Sequence, residues 1–470
     1  MKFLRFSFLA FLVVSTQTLA MEAIALRGTA DGVKNGLLSG WAFDPVNPSA
    51  SVTISIYRDG PKGSGALMGN FPTAVMRPDV NALYRLTGAH GFSWRIPPGD
   101  QNRLRMWYVY AARSGAAEMQ VSNSPLVYPA ATATAIGQPQ AVFTYATDKC
   151  APFDIPDEPA RAYRDASGNV NLIASHYNVR RAVGRTLDTV RHQCAVIHSS
   201  DNDPVFGAFR YHEWLNSPYT TDGKTIYAYM HSEWYGVLVD RSCRNQIDGW
   251  VNAITLAISR DAGASFGHPT DYLVRYPVTP WKSSFQCNST KQTIYGDFNG
   301  TNIVSKDGYY YKFFLYYTDP SAAQQQTGIC MMRTQNLGDA ASWEIWDGNG
   351  YIRSKTASCA FIRNLGGVTS VTYNTYLQMY VGMGYIKDRG FFFSVSPDLI
   401  NWSMRMPVTI EGLGASFTPY PSLLDPADTS RNFERTGQEP YLYYTVFHGG
   451  LNRDLMRVQI KFSDAASNGK

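Results

Sequence analysis

A short turn pattern recurs three times in the C-terminal two-thirds of the chain and constrains its fold more than any other feature. In each copy a strand-like stretch ends in Asp, Asn, Ser or Gly residues and closes on an aromatic. The copies span residues 259–266, 396–402 and, in a looser form, 334–343. Asp, Asn and Gly favour such turns because their side chains bond the local backbone or because they tolerate positive φ. A multi-stranded unit that recurs roughly every 40–50 residues is typical of propeller blades.

The same region divides into five blade-like segments. Each combines an inner strand, a turn and a more aromatic second strand, which is a hairpin pattern. The five segments cover residues 160–176, 219–231, 301–317, 367–383 and 421–447. Few helical stretches compete with them. The sequence therefore predicts that residues 150–465 form a five-bladed β-propeller, with six blades as the alternative count.

Residues 26–128 carry a different pattern of short alternating strands separated by Gly, Pro and Asp turns. The strands are expected over residues 38–43, 51–57, 91–96 and 103–111. This pattern predicts an N-terminal β-sandwich, so the whole chain is expected to be all-β, a sandwich followed by a propeller. Residues 129–149 are expected to be a linker, because 129–140 are rich in Ala, Thr and Pro without periodicity. A surface loop within one domain is the alternative.

Residues 1–20 have the pattern of a signal peptide. Lys2 and Arg5 supply its positive start, residues 6–14 are apolar, and small residues permit cleavage after Ala20. A membrane anchor is the alternative, but the apolar run is too short to cross a bilayer comfortably. We therefore expect a periplasmic or secreted protein.

The cysteine count agrees with export. All six cysteines follow residue 149, and an even number in an exported chain predicts disulfides. Pairing of sequential neighbours suits a blade architecture, although other pairings stay open. The six are Cys150, Cys194, Cys243, Cys287, Cys330 and Cys359. A metal site is less favoured because Cys-x-x-Cys and paired-His spacings are missing from the sequence. We expect no cofactor, and a structural Ca²⁺ is compatible with the chain although no ligand spacing marks one.

Composition narrows the class of partner. Aromatic residues make up 14% of the chain, with 30 Tyr, whereas charged residues make up only 17% and the net charge is +5. This balance fits a β-rich protein that handles polar, stackable ligands. The lack of a Lys/Arg-rich run argues against a nucleic-acid partner. We expect a monomer that acts on a polysaccharide or oligosaccharide and does not associate with a membrane.

Four carboxylates fall where a propeller brings separate blades to one rim of its central tunnel. Residues just before an inner strand, and residues at the end of a second strand, converge on that rim. Asp157, Glu213, Glu233 and Asp297 occupy such places and are the candidate catalytic residues. Each also has a structural interpretation, as a turn residue or a hydrogen-bonded strut. The Asp residues of the recurring turns, Asp261 and Asp398, are interpreted as structural.

Aromatic and basic side chains near these carboxylates are candidate substrate contacts. Aromatic rings stack on sugar faces, and Arg binds carboxylates or hydroxyl pairs through its planar fork. His176 and His231 fall at matching places, the ends of the second strands of the first two blades. The full set is Asp154, Arg161, His176, Arg180, Trp214, His231, Trp234 and Tyr235. A solvated loop with ion pairs is the alternative for the basic residues.

Two stretches carry a resemblance to known families. Residues 157–159, Asp-Glu-Pro before an inner strand, and the turn at 396–402 resemble the five-bladed β-propeller glycosidases, which include arabinanases, arabinofuranosidases, xylosidases and invertases. The resemblance implies that Asp157 acts as base or nucleophile, that a later Glu acts as acid, with Glu213 and Glu233 as rivals, and that Asp297 orients the acid. Residues 40–45, 57–60, 77–80 and 90–92 resemble a bacterial accessory β-sandwich module, which implies an appendage.

Glycoside hydrolysis needs one carboxyl group to protonate the leaving oxygen and a second to activate water or attack the sugar. The leading hypothesis is therefore an exported glycoside hydrolase of a polysaccharide, such as arabinan or another furanoside. Three alternatives stay open: a non-catalytic glycan-binding propeller, a sialidase-like glycosidase suggested by the turn at 259–266, and a polysaccharide lyase.

Overall fold

The computed structural model describes residues 25–113, 118–240, 243, 248–277, 293–319, 324–411 and 418–464. The expected signal peptide and Cys287 lie outside these residues. Across the part of the chain that is described, no helix has the length and apolar character needed to span a membrane.

The N-terminal domain is the expected β-sandwich. One sheet has the order β1-β2-β5, and the other joins β4, β3, β6, β7 and β8. Both sheets contribute to one apolar core that includes Leu38, Ile54, Phe92 and Trp107. The elements are β1 Arg27–Lys34, β2 Leu37–Phe43, β3 Thr53–Arg58, β4 Ala66–Pro72, α1 Pro78–Tyr84, β5 Gly91–Arg95, α2 Pro98–Gln101, β6 Arg105–Ala112, β7 Met119–Gln120 and β8 Leu126–Tyr128.

The segment expected to be a linker contains structure instead. It forms β9 Ala131–Ala135, β10 Gln140–Phe143 and α3 Tyr145–Asp148. Alternation of small buried and polar exposed side chains along β9 gives a strand face that packs inward. Both strands pair with the last long strand of the chain, as described below. Pairing with a distant strand gives the segment an order that its composition does not reveal.

The remaining strands form five blades around a centre. Blade 1 runs β11 Arg161–Arg164, β12 Val170–Ile173, β14 Ala182–Gly184 and β15 Arg191–His192, with the pair β13 Asn178–Val179 and β16 His198–Ser199 beside it. Blade 2 runs β17 His212–Tyr219, β18 Ile226–Tyr235, β19 Asp248–Ser259 and β20 Leu273–Arg275, with a 3₁₀ turn at Gly236–Leu238. Each blade meanders outward, so its first strand lies nearest the centre.

Blades 3 to 5 repeat this order. Blade 3 contains β21 Thr293–Gly300, β22 Val304–Lys306, β23 Tyr309–Tyr317, β24 Thr327–Thr334, β25 Glu344–Trp346 and β26 Tyr351–Arg353, with a 3₁₀ turn at Ala340–Ser342. Blade 4 contains β27 Val368–Asn374, β28 Met379–Ile386, β29 Gly390–Ser396 and β30 Met406–Thr409. Blade 5 contains β31 Ser422–Leu424, β33 Tyr441–Gly449 and β34 Asn452–Asp464, and the short β32 Arg435–Thr436 pairs with β27.

Blade 5 is completed from the other end of the domain. Strand β9 pairs antiparallel with β34, with Ala131 opposite Asp464 and Ala135 opposite Ile460. Strand β10 also pairs with β34, with Gln140 opposite Arg457. Strand β9 also pairs in parallel with β30 of blade 4. Leu104 of the sandwich packs into the apolar cluster that blades 4 and 5 share. The ring is therefore closed by residues that precede the first blade.

The three recurring turns occupy equivalent places. They connect β19 to β20 in blade 2, β24 to β25 in blade 3 and β29 to β30 in blade 4. In blade 4, Asp398 Oδ1 accepts the backbone N–H groups of Ile400 and Asn401 at 2.9 and 2.8 Å. Trp402 is 2% exposed and donates its Nε1–H to the Leu399 carbonyl at 2.8 Å. Asp261 of blade 2 caps its turn in the same way through Ser265. The structural interpretation of Asp261 and Asp398 agrees with these contacts.

Disulfides join sequential neighbours, as expected. Cys150 pairs with Cys194 and Cys330 pairs with Cys359, with Cα–Cα distances of 5.5 and 5.9 Å. The first disulfide links the segment before blade 1 to the segment after β15. The second links β24 of blade 3 to the segment that leads into blade 4.

The centre of the propeller is held by a buried cation. Arg161 on β11 donates to the backbone carbonyls of Asn216, Gly300 and Thr369, at 3.0, 3.1 and 2.7 Å. These acceptors belong to blades 2, 3 and 4, so one side chain of blade 1 contacts three other blades. Burial lowers the pKa of Arg161 to about 9, which leaves the guanidinium charged at neutral pH. Arg161 therefore links the inner strands.

Candidate active site

A cluster of polar and aromatic side chains lies at the rim where blades 1, 2 and 5 meet. We call it the rim cluster. Its members come from the approaches to inner strands and from the ends of second strands, which are the two places that the sequence indicated. They are Phe153, Asp157, His176, Tyr177, His212, Trp214, His231, Glu233, Tyr235, Tyr420 and Arg453.

Asp157 is the most heavily contacted carboxylate of the rim cluster. Its Oδ2 accepts the Nε1–H of Trp214 at 3.2 Å, and its Oδ1 accepts the hydroxyl of Tyr420 at 3.4 Å and an N–H of Arg453. His176 Nε2 lies 3.5 Å from Oδ2. Burial raises the pKa of Asp157, with the charge of Glu233 acting in the same direction and Arg453 acting against both. Asp157 is thus a carboxylate held by donors and made more basic by its surroundings.

Glu233 is the second carboxylate of the cluster. Its Oε1 lies 2.8 Å from His231 Nε2, and its Oε2 accepts the hydroxyl of Tyr235. Burial, and then the charge of Glu233, raise the pKa of Tyr235, so its hydroxyl keeps its proton and remains a donor. Each oxygen of Glu233 therefore has a partner that fixes the orientation of the carboxylate.

Strand register explains why these side chains meet. In the β17–β18 pair, His212 lies opposite Glu233 and Trp214 lies opposite His231. Opposite residues share a face and alternate residues return to it, so these four side chains and Tyr235 lie on one face of blade 2. Trp214 packs against His231 with ring centroids 5.7 Å apart. Its indole N–H reaches Asp157, so Trp214 and His231 together connect Asp157 to Glu233.

Two histidines of the cluster, His176 and His212, are held neutral by their surroundings. His176 packs against Trp214 at 5.3 Å and lies close to Arg453 and His212. Burial, reinforced by the positive charge of Arg453, lowers the pKa of His176 to about 3. Burial also lowers the pKa of His212. Neutral imidazoles beside two carboxylates act as hydrogen-bonding groups that add no charge to the site.

Aromatic rings form the solvent-facing side of the cluster. Tyr177 stacks on His212, with ring centroids 4.3 Å apart and planes 7° from parallel. Phe153 is 46% exposed and stacks over His176 at 5.8 Å. An exposed ring above two buried carboxylates offers an apolar face to a sugar ring while polar groups lie below it.

Glu213 lies elsewhere. It is opposite Ser232 in the β17–β18 pair, so it projects from the other face of blade 2. Its side chain is fully buried, its Oε1 accepts the hydroxyl of Thr255 at 2.6 Å, and its Oε2 lies 2.9 Å from His268 Nε2. Burial raises the pKa of Glu213, but His198, His268 and Thr255 outweigh it and hold the pKa at about 2. The structure does not bring Glu213 to Asp157.

Asp297 is also turned away from the rim cluster. It lies within β21 and accepts two hydrogen bonds from Arg275, at 3.3 and 3.1 Å, with both side chains 1% exposed. Its neighbour Phe298 projects to the opposite face and packs on His231 at 5.9 Å. Asp297 therefore joins blades 2 and 3 through a buried ion pair.

The other expected substrate contacts divide between the rim cluster and the protein interior. Trp214, His176, His231 and Tyr235 belong to the cluster, whereas Trp234 is fully buried and donates to the Pro204 carbonyl at 2.9 Å. Arg161 is the central cation described above. Asp154 and Arg180 line a separate cavity between blades 1 and 5. There Asp154 contacts His192 at 2.8 Å and accepts the Cys150 N–H at 2.8 Å.

Five members of the cluster were not predicted from the sequence, namely Phe153, Tyr177, His212, Tyr420 and Arg453. Tyr420 precedes β31 just as Asp157 precedes β11, so the same positional argument identifies it. Arg453 follows the turn after β33, the second strand of blade 5. Tyr177 directly follows His176, which the sequence did indicate. Blade position was the signal that could have identified Tyr177, Tyr420 and Arg453, and it applies to blade 5 as it does to blades 1 and 2.

Comparisons with known proteins are distant. No family model matches the chain, and no curated protein is similar to it in sequence. Among solved structures, the chain is similar to a protein of unknown function from Dyadobacter fermentans DSM 18053, at 11% identity and a TM-score of 0.38, covering 70% of this chain and 100% of that chain. It is also similar to a GH43_1 enzyme from Xanthomonas citri, at 11% identity and a TM-score of 0.41, covering 72% and 92%.

A third similar structure is the sucrose-6-phosphate hydrolase of Lactobacillus gasseri, at 10% identity and a TM-score of 0.40, covering 68% of this chain and 64% of that chain. Glycoside hydrolases thus occur among the similar structures. Likenesses this distant carry no weight for the chemistry of this chain, so its function is inferred from the geometry of the rim cluster.

Proposed function

We propose that this protein is an exported glycoside hydrolase that cleaves a polysaccharide, such as arabinan or another furanoside, with Asp157 and Glu233 as its catalytic pair. The observation that carries the proposal is their arrangement: two carboxylates from different blades, connected through Trp214 and His231, beside the exposed ring of Phe153. Paired carboxylates and stacking aromatics are what glycosidic hydrolysis and sugar binding require. The pattern of residues 1–20 and the two disulfides support export.

The contacts of each carboxylate suggest its role. Three donors stabilise Asp157 in its charged form while burial makes it more basic, which suits the group that activates water or attacks the sugar. Glu233 would then donate a proton to the leaving oxygen. Two neighbouring carboxylates favour a state with one proton between them, and His231 Nε2, 2.8 Å from Oε1, orients the Glu233 carboxyl group.

The test is product analysis with the purified chain and a panel of arabinans and other polysaccharides. New reducing ends are expected from at least one of them, and their sizes distinguish internal from terminal cleavage. Asp157→Asn and Glu233→Gln should each abolish these products, and Glu344→Gln, which changes a carboxylate on the outer part of blade 3, should not. Retention on a glycan without products would replace this proposal with a binding function, and unsaturated products would indicate a lyase.

A further inference from the structure

A second histidine–carboxylate cluster lies between blades 1 and 2, behind the rim cluster. We call it the interblade cluster: His198, Glu213 and His268, with Thr255 beside it. His198 belongs to β16, Glu213 to β17, and His268 to the segment between β19 and β20. We propose that the interblade cluster binds a divalent transition-metal ion, with Zn²⁺ as the ion that suits it best.

The donor atoms converge as metal ligands do. Glu213 Oε2 lies 2.9 Å from His268 Nε2 and 3.7 Å from His198 Nε2, and all three donors lie within 4.8 Å of one another. Ligands about 2.0–2.2 Å from a tetrahedral zinc are separated by roughly 3.3–3.5 Å. The spacings bracket that value, so small side-chain adjustments would seat an ion.

The outer hydrogen bonds direct both imidazoles towards the same point. His268 Nδ1 lies 2.8 Å from the Leu256 carbonyl oxygen, and because a carbonyl only accepts, Nδ1 carries the proton. His198 Nδ1 faces the Phe266 carbonyl at 3.5 Å. Metal-binding histidines commonly donate their second N–H to a carbonyl, which leaves Nε2 free for the ion. Thr255 orients the carboxylate by donating to its other oxygen.

One ring nitrogen of the interblade cluster lacks a hydrogen bond. His198 is 7% exposed, and its buried Nε2 has no hydrogen-bond partner among the described residues although it points at a carboxylate. An unpaired buried nitrogen costs free energy, and a metal ion would satisfy it. A lone His268–Glu213 ion pair leaves this nitrogen unexplained.

Burial assigns the ion a structural role. The Glu213 side chain is fully buried, and the side chains of His198 and His268 are 5% and 11% exposed. Two His and one Glu supply three ligands, and a water molecule would complete the tetrahedron. The ion would connect the strand that ends blade 1 with two segments of blade 2, much as the disulfides connect their segments.

The first experiment measures zinc in the purified full chain after dialysis against Zn²⁺ and then against metal-free buffer. About one zinc per chain is expected, and His198→Ala and His268→Ala should each lose it. His192→Ala is the matched control, because His192 also contacts a carboxylate, Asp154 at 2.8 Å, but the third residue near it, Cys150, is in a disulfide. Less than a tenth of a zinc per chain in the wild type would overturn the proposal.

The second experiment keeps the test valid if a variant folds poorly. The melting temperature of the metal-free wild type should rise with added Zn²⁺, by about 3–4 °C at a hundredfold excess over the dissociation constant. The same titration of His192→Ala should give the same rise. The absence of a rise in the wild type, or an equal rise in a folded His198→Ala variant, would contradict a site at the interblade cluster.

Discussion

Glu233 of the rim cluster and Glu213 of the interblade cluster lie on adjacent strands, and each contacts histidine, yet their surroundings differ in kind. Glu233 contacts His231 and Tyr235 at the rim, whereas the side chain of Glu213 is fully buried between two blades. The difference follows from one residue of register, because Glu213 pairs with Ser232 while Glu233 pairs with His212. On a strand, the face that a carboxylate occupies decides whether it meets solvent and substrate or supports the fold.

The largest expected difference between the two clusters is in catalysis. Asp157→Asn should lower kcat/KM by about 10²–10⁴-fold, because the carboxylate is replaced by an amide that cannot take a proton. Its free energy of unfolding should fall by about 1–3 kcal/mol, since the amide oxygen still accepts a hydrogen bond but Arg453 loses its charge partner. Initial rates and urea unfolding on the same preparation measure both quantities. Full activity in this variant would remove Asp157 from the site.

The next effect is on stability and concerns the interblade cluster. Glu213→Gln should lower the free energy of unfolding by about 3–5 kcal/mol, because it leaves buried His268 without its charge partner. Glu233→Gln should cost about 1–2 kcal/mol, because the amide oxygen still accepts one of the two hydrogen bonds that hold the buried carboxylate. Urea unfolding at neutral pH compares the two variants. Equal losses would show that the two glutamates do not differ as their hydrogen-bond partners indicate.

Acid unfolding should separate the clusters by pH. The folded-state pKa of His176 is about 3, below its ordinary value near 6.5, so the unfolded chain binds more protons and stability falls as pH drops from about 6.5 to 3. The folded-state pKa of Glu213 is about 2, so its contribution is present above about 4.5 and is lost as pH falls towards 2.

Across each of these two pH ranges, the contribution of the group to the free energy of unfolding changes by a few kcal/mol. His176→Asn should flatten the free energy of unfolding between pH 6.5 and 4.5, where Glu213 does not titrate. Urea unfolding at half-unit pH steps provides the measurement. If the free energy of unfolding of His176→Asn still falls as steeply between pH 6.5 and 4.5, groups other than His176 cause the pH dependence.

The smallest expected effect concerns substrate binding by Phe153, the exposed ring of the rim cluster. Phe153→Ala should raise KM by about 3–10-fold and leave kcat unchanged, because an exposed stacking ring contributes to binding and not to the bond-breaking step. Leu83→Ala, an exposed apolar residue on α1 of the sandwich, is the matched control. A fall in kcat with an unchanged KM would show that Phe153 positions His176 and does not contact the sugar.

Much of the fold was predictable because it rests on local chemistry. The turns around Asp261 and Asp398 bond their own backbone, and they mark the same place in each blade. The strands at residues 131–143 were not predictable, because small Ala and Thr side chains become a strand only when β34, more than three hundred residues later, lies beside them. Tertiary pairing overrides weak local preference there.

The site was predictable where position along a blade decides it. Asp157, Trp214 and Glu233 follow from the convergence of inner-strand approaches and second-strand ends. Glu213 and Trp234 share those positions but lie on the opposite strand face. The face changes with every residue, and the expected strand bounds were too coarse to assign it. Arg161 shows a further limit of sequence reasoning. The sequence does not distinguish an arginine that donates to three backbone carbonyls from one that binds a substrate.

The pairing of β9 and β10 with β34 has a consequence for how the chain assembles. Gln140 and Arg457 contact each other across 317 residues, so the outer strands of blade 5 are synthesised long before their partner. During synthesis they must remain unpaired, and the ring can close only after the last blade has emerged. Removing residues 131–143 would thus damage the same blade as removing β34, and a permuted chain that starts at residue 144 and carries 131–143 after β34 would make blade 5 from continuous sequence.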